Sequence, residues 1–191
     1  MDVAPLTTVD DLVKVLSGSA TGDDASLDGC SESLDQLAHG LQCGHELAVE
    51  FPDDVELQVA GLIHDIGHAL MPRGGDVDDA RHDLIHGIVA GDAVRGLLGD
   101  RVASLVELHV PAKRYLVTVE SAYGGVLSSM STVTLANQGG PMTPEEIEEF
   151  EALPELGAAV ALRRADEAAK VPGRQVPGLD HWRPIIESLA H

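Results

Sequence analysis

Aromatic residues make up only 3% of the 191-residue chain, with one Trp, two Tyr and two Phe. A core without them must come from Leu, Val, Ile and Ala, which suits packed helices better than a sheet. Cysteine is nearly absent as well. Cys30 and Cys43 fit neither a metal-knuckle spacing nor a disulfide framework, which predicts a reducing compartment. Long apolar runs are missing, and the opening MDVAPLTTVDDLVKVL has neither the basic end nor the apolar stretch of a signal peptide. A soluble, cytoplasmic protein is the expectation. Positive charge is scarce too: 12 Lys and Arg stand against 32 Asp and Glu, a formal net charge of −20. Such a surface repels phosphate backbones and anionic lipid, so no nucleic acid and no membrane is expected as partner, and small molecules are favoured. Nothing in the residues reports an oligomeric state. There are only three lysines, Lys14, Lys113 and Lys170, so a lysine beside a polar cluster carries information.

What is present is helical periodicity. Apolar spacing predicts helices over about 7–17, 32–50, 54–70, 79–98, 100–110 and 155–170, with a polar stretch, SGSATGDDASLDG, after the first that reads as a lid or a loop. Gly99 is expected to cap one helix, and Pro111 to end or kink the next. YLVTVESAYGGVL carries β-branched residues but has no strand to pair with, so it reads as helical or irregular. Thr143, Pro144 and Glu146 spell a helix start with a capping box, and Pro184 is expected to open a short terminal helix. The organisation predicted is one all-α domain over 1–191: an N-terminal helix and lid (1–31), a metal-binding helical core (32–170) and a tail (171–191).

Chemistry concentrates around His64, Asp65 and His68, buried in an apolar helix that has little reason to hold three polar groups unless something offsets their desolvation. A metal ion would offset it. Other helices supply His39, His86, His109 and Asp166, each on or beside an apolar stripe. Any one alone reads as an ordinary core residue; jointly they form two ligand sets. His39, His64, Asp65 and Asp166 would serve one ion, and Asp65, His86 and His109 the other, with Asp65 offering one oxygen to each. Imidazole-rich ligation excludes magnesium and calcium and leaves iron, zinc, manganese or cobalt. An Fe(II)/Fe(III) pair with two carboxylates would keep a formal charge of about three positive, which favours an anionic substrate. His68, one turn from His64, reads as an acid, base or substrate contact; Lys113 and Arg163 flank the ligands and predict an anion pocket.

The segments LDQLAHGLQC, AGLIHDIGH, IHGIVAGDAVRGLLG, ELHVPAKRYLV, TLANQGGPM and LRRADEAAKVPG extend the pattern over most of the chain. Together they resemble the HD-domain mixed-valence di-iron oxygenases that cleave carbon–phosphorus bonds. The resemblance implies a helical bundle with a buried dinuclear site, two iron ions as Fe(II)/Fe(III), and O2 as co-substrate. It implies His39, His64, Asp65, His86, His109 and Asp166 as the iron ligands. His68 and Lys113 would be catalytic and, with Glu32, Ser131, Gln138 and Arg163, would line the substrate. The substrate would be a small anionic 1-hydroxyphosphonate, such as 2-amino-1-hydroxyethylphosphonate, an N-methylated analogue or hydroxymethylphosphonate, and phosphate would be released. One departure stands out: Gly29 occupies the position of a metal-capping tyrosine, while the accompanying glutamate is kept as Glu32. Two rival readings remain, an HD-type phosphohydrolase acting on a phosphate ester or nucleotide, and a metal-dependent sensor. The sensor is disfavoured because no DNA-binding segment is evident.

Overall fold

The structure is a computed structural model that describes residues 3–19, 35–71 and 79–191. Among these the chain is all-helical, as the aliphatic composition predicts. In order come α1 (Val9–Ser19), α2 (Gln36–Glu50), α3 (Val55–Ile63), α4 (Gly67–Leu70), α5 (Asp79–Val119), a 3-10 turn (Tyr123–Gly125), α6 (Ser129–Asn137), α7 (Pro144–Glu151), α8 (Leu156–Ala168) and α9 (Leu179–Leu189). Side-chain caps set several starts. Asp35 accepts from the Ala38 N–H at α2, Asp54 from Leu57 at α3, and Thr143 and Glu146 form the reciprocal box at α7 with Pro144 first.

The structure corrects the sequence expectation in three places, each for a local reason. The helix expected over 54–70 is two pieces: after Ile63 the chain tightens, with Ile66 N–H donating to Ile63 O and His68 N–H to Asp65 O, both at 3.1 Å. Three-residue bonds of this kind recur at functional sites, and here they fall on His64 and Asp65. Pro111 does not end its helix, which runs on to Val119 because Ala112 and Leu116 remain packed in the interior, so YLVTV is helical and the 3-10 turn follows. Pro184 does not open the terminal helix either. It lies inside α9, which begins after Gly178 and buries Trp182 and Ile186. Gly99 interrupts α5 as expected, at φ 87° and ψ 171°, and the His191 N–H donates to the Leu97 carbonyl just before the break at 3.1 Å.

Helices α2, α3, α5 and α8 surround the main core, with Leu47, Val59, Ile63, Val94, Leu105 and Leu162 fully inside. Leu12 and Leu16 of α1 and Trp182 of α9 close one side, so elements from both ends of the described chain share one interior. Two glycines let backbones approach where the site lies. A Cβ on Gly40 would sit 2.3 Å from the Leu62 carbonyl oxygen, and one on Gly67 2.0 Å from that of His86. Those contacts draw α2 onto α3 and α4 onto α5, which brings the rings of His39 and His64 to 5.1 Å and stacks His68 on His86 at 4.1 Å. No helix among the described residues is long and apolar enough to cross a membrane.

Candidate metal centre

Each of the four converging histidines is anchored from behind by a backbone carbonyl. His39 Nδ1 lies 3.1 Å from Ala169 O, His64 Nδ1 2.7 Å from Gly61 O, His86 Nδ1 2.8 Å from Asp83 O, and His109 Nδ1 2.6 Å from Val106 O. A carbonyl only accepts, so each Nδ1 carries a proton, and a ring that is neutral turns a lone pair on Nε2 inward. Gln138 reinforces one anchor: its Nε2 donates to the same Asp83 carbonyl at 3.1 Å, while Asn137 Nδ2 holds the Asp83 carboxylate at 2.6 Å.

The inward atoms form two groups, each able to hold a metal ion: His39, His64 and Asp166; and Asp65, His86 and His109. Asp65 stands between them. Its Oδ2 is 3.3 Å from His64 Nε2 and 3.7 Å from His39 Nε2, while its Oδ1 is 3.5 Å from both His86 Nε2 and His109 Nε2. Asp166 Oδ1 is 3.2 Å from His39 Nε2 and 3.8 Å from His64 Nε2. The six residues singled out from helical phase are thus brought to one place, with Asp65 presenting a different oxygen to each group.

The donor chemistry fits metal ions. His86 Nε2 and His109 Nε2 face each other at 2.9 Å with no proton left for a hydrogen bond between them, and buried His64 Nε2 has no hydrogen-bond partner. Nitrogen and oxygen donors gathered this closely suit a shared cation, and metal bonds of about 2.0–2.2 Å place neighbouring ligand atoms at just such spacings. Electrostatics agree. Burial opposes charge on His64, Asp65 and Asp166, yet His64 and Asp65 hold each other charged, His64 well above its ordinary value and Asp65 well below, so that a proton stands where a cation would otherwise sit, and the Arg163 guanidinium holds Asp166 well below the usual carboxylate range. Burial, then His86, pushes His109 well below its ordinary value, so its ring is neutral. His68 is pushed down to about 3 by burial and then by His86, so its ring is neutral too.

Beside the Asp166 group lies a cluster of polar side chains. Lys113 is buried and donates from Nζ to Thr134 Oγ1 at 2.8 Å; burial first, then Arg163, lowers its pKa to about 8. Arg163 donates through Nε to Tyr123 Oη at 2.9 Å, through Nη2 to Ser131 Oγ at 3.3 Å, and pairs with Asp166 and Glu167. Lys170 Nζ reaches Ser131 Oγ at 2.8 Å and Glu167 Oε2 at 2.9 Å. Gln138 is buried with Oε1 unpartnered. Of the residues expected around a substrate, the structure gathers Lys113, Ser131 and Arg163 here, stacks His68 on His86 and sets Gln138 on the Asp83 carbonyl behind that ring; Glu32, Gly29 and the lid stretch from residue 20 on lie outside the described residues. Sequence reasoning missed Lys170, Glu167, Thr134 and Tyr123. Arg163, Glu167 and Lys170, spaced four and three apart, were open to detection as one helical face.

Comparison with known proteins decides the family. A model of the HD domain matches residues 35–149. The chain belongs to the HD-domain family. Its HD match stops before Asp166, which α8 supplies from outside. Among similar proteins is the hydroxymethylphosphonate dioxygenase of Gimesia maris, 42% identical over 161 residues, spanning 82% of this chain and 78% of that one. The [1-hydroxy-2-(trimethylamino)ethyl]phosphonate dioxygenase (glycine-betaine-forming) of Leisingera caerulea is 33% identical over 158 residues, 83% of this chain and 80% of that one. An uncharacterized protein of Acanthamoeba polyphaga mimivirus is 32% identical over 162 residues, 83% and 73% of the two chains. With dioxygenases this similar over most of its length, the chain is an enzyme, an HD-domain oxygenase.

Proposed function

We propose that this enzyme uses two iron ions and O2 to cleave the carbon–phosphorus bond of a small 1-hydroxyphosphonate, releasing phosphate. The observation that carries this reading is the Asp65 carboxylate set between two groups of inward-facing acceptors, with Lys113, Arg163 and Lys170 massed beside one of them. His39, His64, Asp65 and Asp166 would hold one ion and Asp65, His86 and His109 the other. When bound, the pair supplies Lewis acidity toward substrate oxygens and the redox capacity to use O2.

The chain's own residues supply the rest. Lys113, with Ser131 and Arg163, binds and orients the phosphonate, and burial keeps competing water out of the pocket. Gln138 Oε1 stands ready to accept a hydrogen bond from a substrate hydroxyl. His68, neutral and stacked on His86, is placed to contact the substrate as a hydrogen-bond partner. Hydroxymethylphosphonate is the first candidate among the substrates: it has no cationic tail to be repelled by three basic side chains, and it is the substrate named for the relative at 42% identity. The stoichiometry balances, since one hydroxymethylphosphonate dianion and one O2 give formate and dihydrogen phosphate.

The test is to load the metal-free protein with iron and follow O2 uptake and phosphate release over a panel of 1-hydroxyphosphonates. Phosphate release that needs O2 and iron is the expected result. Release from phosphate esters without O2, supported equally by manganese or magnesium, would overturn it in favour of a phosphohydrolase.

A further inference from the structure

Glu167 and Lys170 belong to neither metal-facing group, yet they sit against residues that the proposed function turns toward the phosphonate. Glu167 Oε2 accepts from three donors at once, Ser131 Oγ at 2.9 Å, Lys170 Nζ at 2.9 Å and Arg163 Nη2. Its Oε1 accepts the Ser128 N–H at 2.6 Å, at the N-cap of α6, so the carboxylate is pinned from the other side. The side chain is only 11% exposed and Arg163 only 3%, so these charges act on each other with little solvent screening. A hydroxyl, an ammonium and a guanidinium converging on one anionic oxygen is how a protein holds a phosphonate oxygen. Here the protein's own carboxylate already fills that role.

We infer that Glu167 is a positioning residue that limits phosphonate affinity: it gathers Ser131, Arg163 and Lys170 into one donor cluster while using up part of their hydrogen bonding and charge. This rests on the proposed reading that the cluster faces the substrate's phosphonate. Three cations, Lys113, Arg163 and Lys170, meet two carboxylates, Asp166 and Glu167, so removing one carboxylate raises the local positive charge by one. The function of such restraint lies in turnover. Product phosphate carries the same anionic head as the substrate, and a pocket of uncompensated cations would retain it.

The experiment measures binding of two probes, methylphosphonate and inorganic phosphate, to the metal-loaded protein by titration calorimetry, alongside turnover. Glu167→Gln keeps the shape, removes the charge and adds an amide donor; it is expected to bind both probes about tenfold tighter, the effect of one nearby charge. Its kcat should fall as phosphate release slows, while kcat/KM does not fall. Glu167→Asp, which keeps the charge, should return affinities toward the wild type. A residue that merely braced α6 would loosen binding on substitution, so a folded Glu167→Gln protein with equal or weaker probe affinity overturns the inference. Should that variant not fold, Lys170→Gln decides: about tenfold weaker binding of both probes supports the cluster, and unchanged binding refutes it. Charge-dependent probe binding without turnover of any 1-hydroxyphosphonate would sink the proposed reaction and leave this inference standing. Turnover with probe affinities indifferent to Glu167 would do the reverse.

Discussion

Asp65 is the residue through which both halves of the centre communicate, because its two oxygens face different sets of imidazole nitrogens. Removing it takes a ligand from each set at once. Metal analysis of Asp65→Ala is expected to find neither ion at stoichiometric level, and two retained ions would refute the bridging role. Lys113 sets a pH dependence whose sign follows from its burial. With its pKa lowered to about 8, it is cationic below that pH and neutral above. Affinity for an anionic substrate is therefore expected to decline as pH rises through about 8, read as a falling limb in kcat/KM. Lys113→Arg, which stays charged, should move that limb upward by more than one unit. Residues of this kind were legible in the chain because polar groups on apolar helical stripes are conspicuous. For Glu167 and Lys170 the spacing from Arg163 was open to detection, but their role was not, since an acidic and a basic side chain near a helix end look like any surface pair until the fold brings Ser131 against them.

At the scale of elements, α6 is a strap between two parts of the site. Glu167 of α8 holds its start, and Asn137 and Gln138 at its end hold Asp83 of α5, whose carbonyl orients His86. Partners behind a metal-binding histidine commonly contribute ten- to a hundredfold to metal affinity. Asn137→Ala is accordingly expected to weaken one of the two metal equivalents by about tenfold or more, with the other unchanged, in a competitive chelator titration. Equal loss at both sites would show a general loosening instead. Helix ends show where local signals suffice: the capping box at Thr143 reads directly from four residues. Prolines show where they do not. Pro111 and Pro184 each cost a backbone hydrogen bond, but burial of Leu116 and of Trp182 and Ile186 on either side keeps both helices going.

Taken as a whole, the molecule joins elements from both ends of its described chain in one core. Trp182, the chain's one tryptophan, is 1% exposed and packs with α1, α2 and α3 residues. Trp182→Ala is expected to cost about 3–5 kcal/mol, seen as a lower denaturation midpoint in urea, and a loss under about 1 kcal/mol would show that α9 is a peripheral attachment. The charge distribution also belongs to this scale. A chain of formal net charge −20 places two of its three lysines beside the converging histidines and aspartates, which suits the anionic substrate of the proposed function.

By itself the sequence determined most of the helices, their apolar faces and the six converging histidines and aspartates, because helical phase is a local property that residue spacing records. Tertiary structure alone decided which oxygen of Asp65 meets which imidazoles, that the chain tightens between Ile63 and Gly67, and that the Glu167 carboxylate gathers Ser131 with Arg163 and Lys170. Those outcomes depend on how closely α2 approaches α3, α4 approaches α5 and α6 approaches α8, and distances between helices are set by packing across the core rather than by order along the chain.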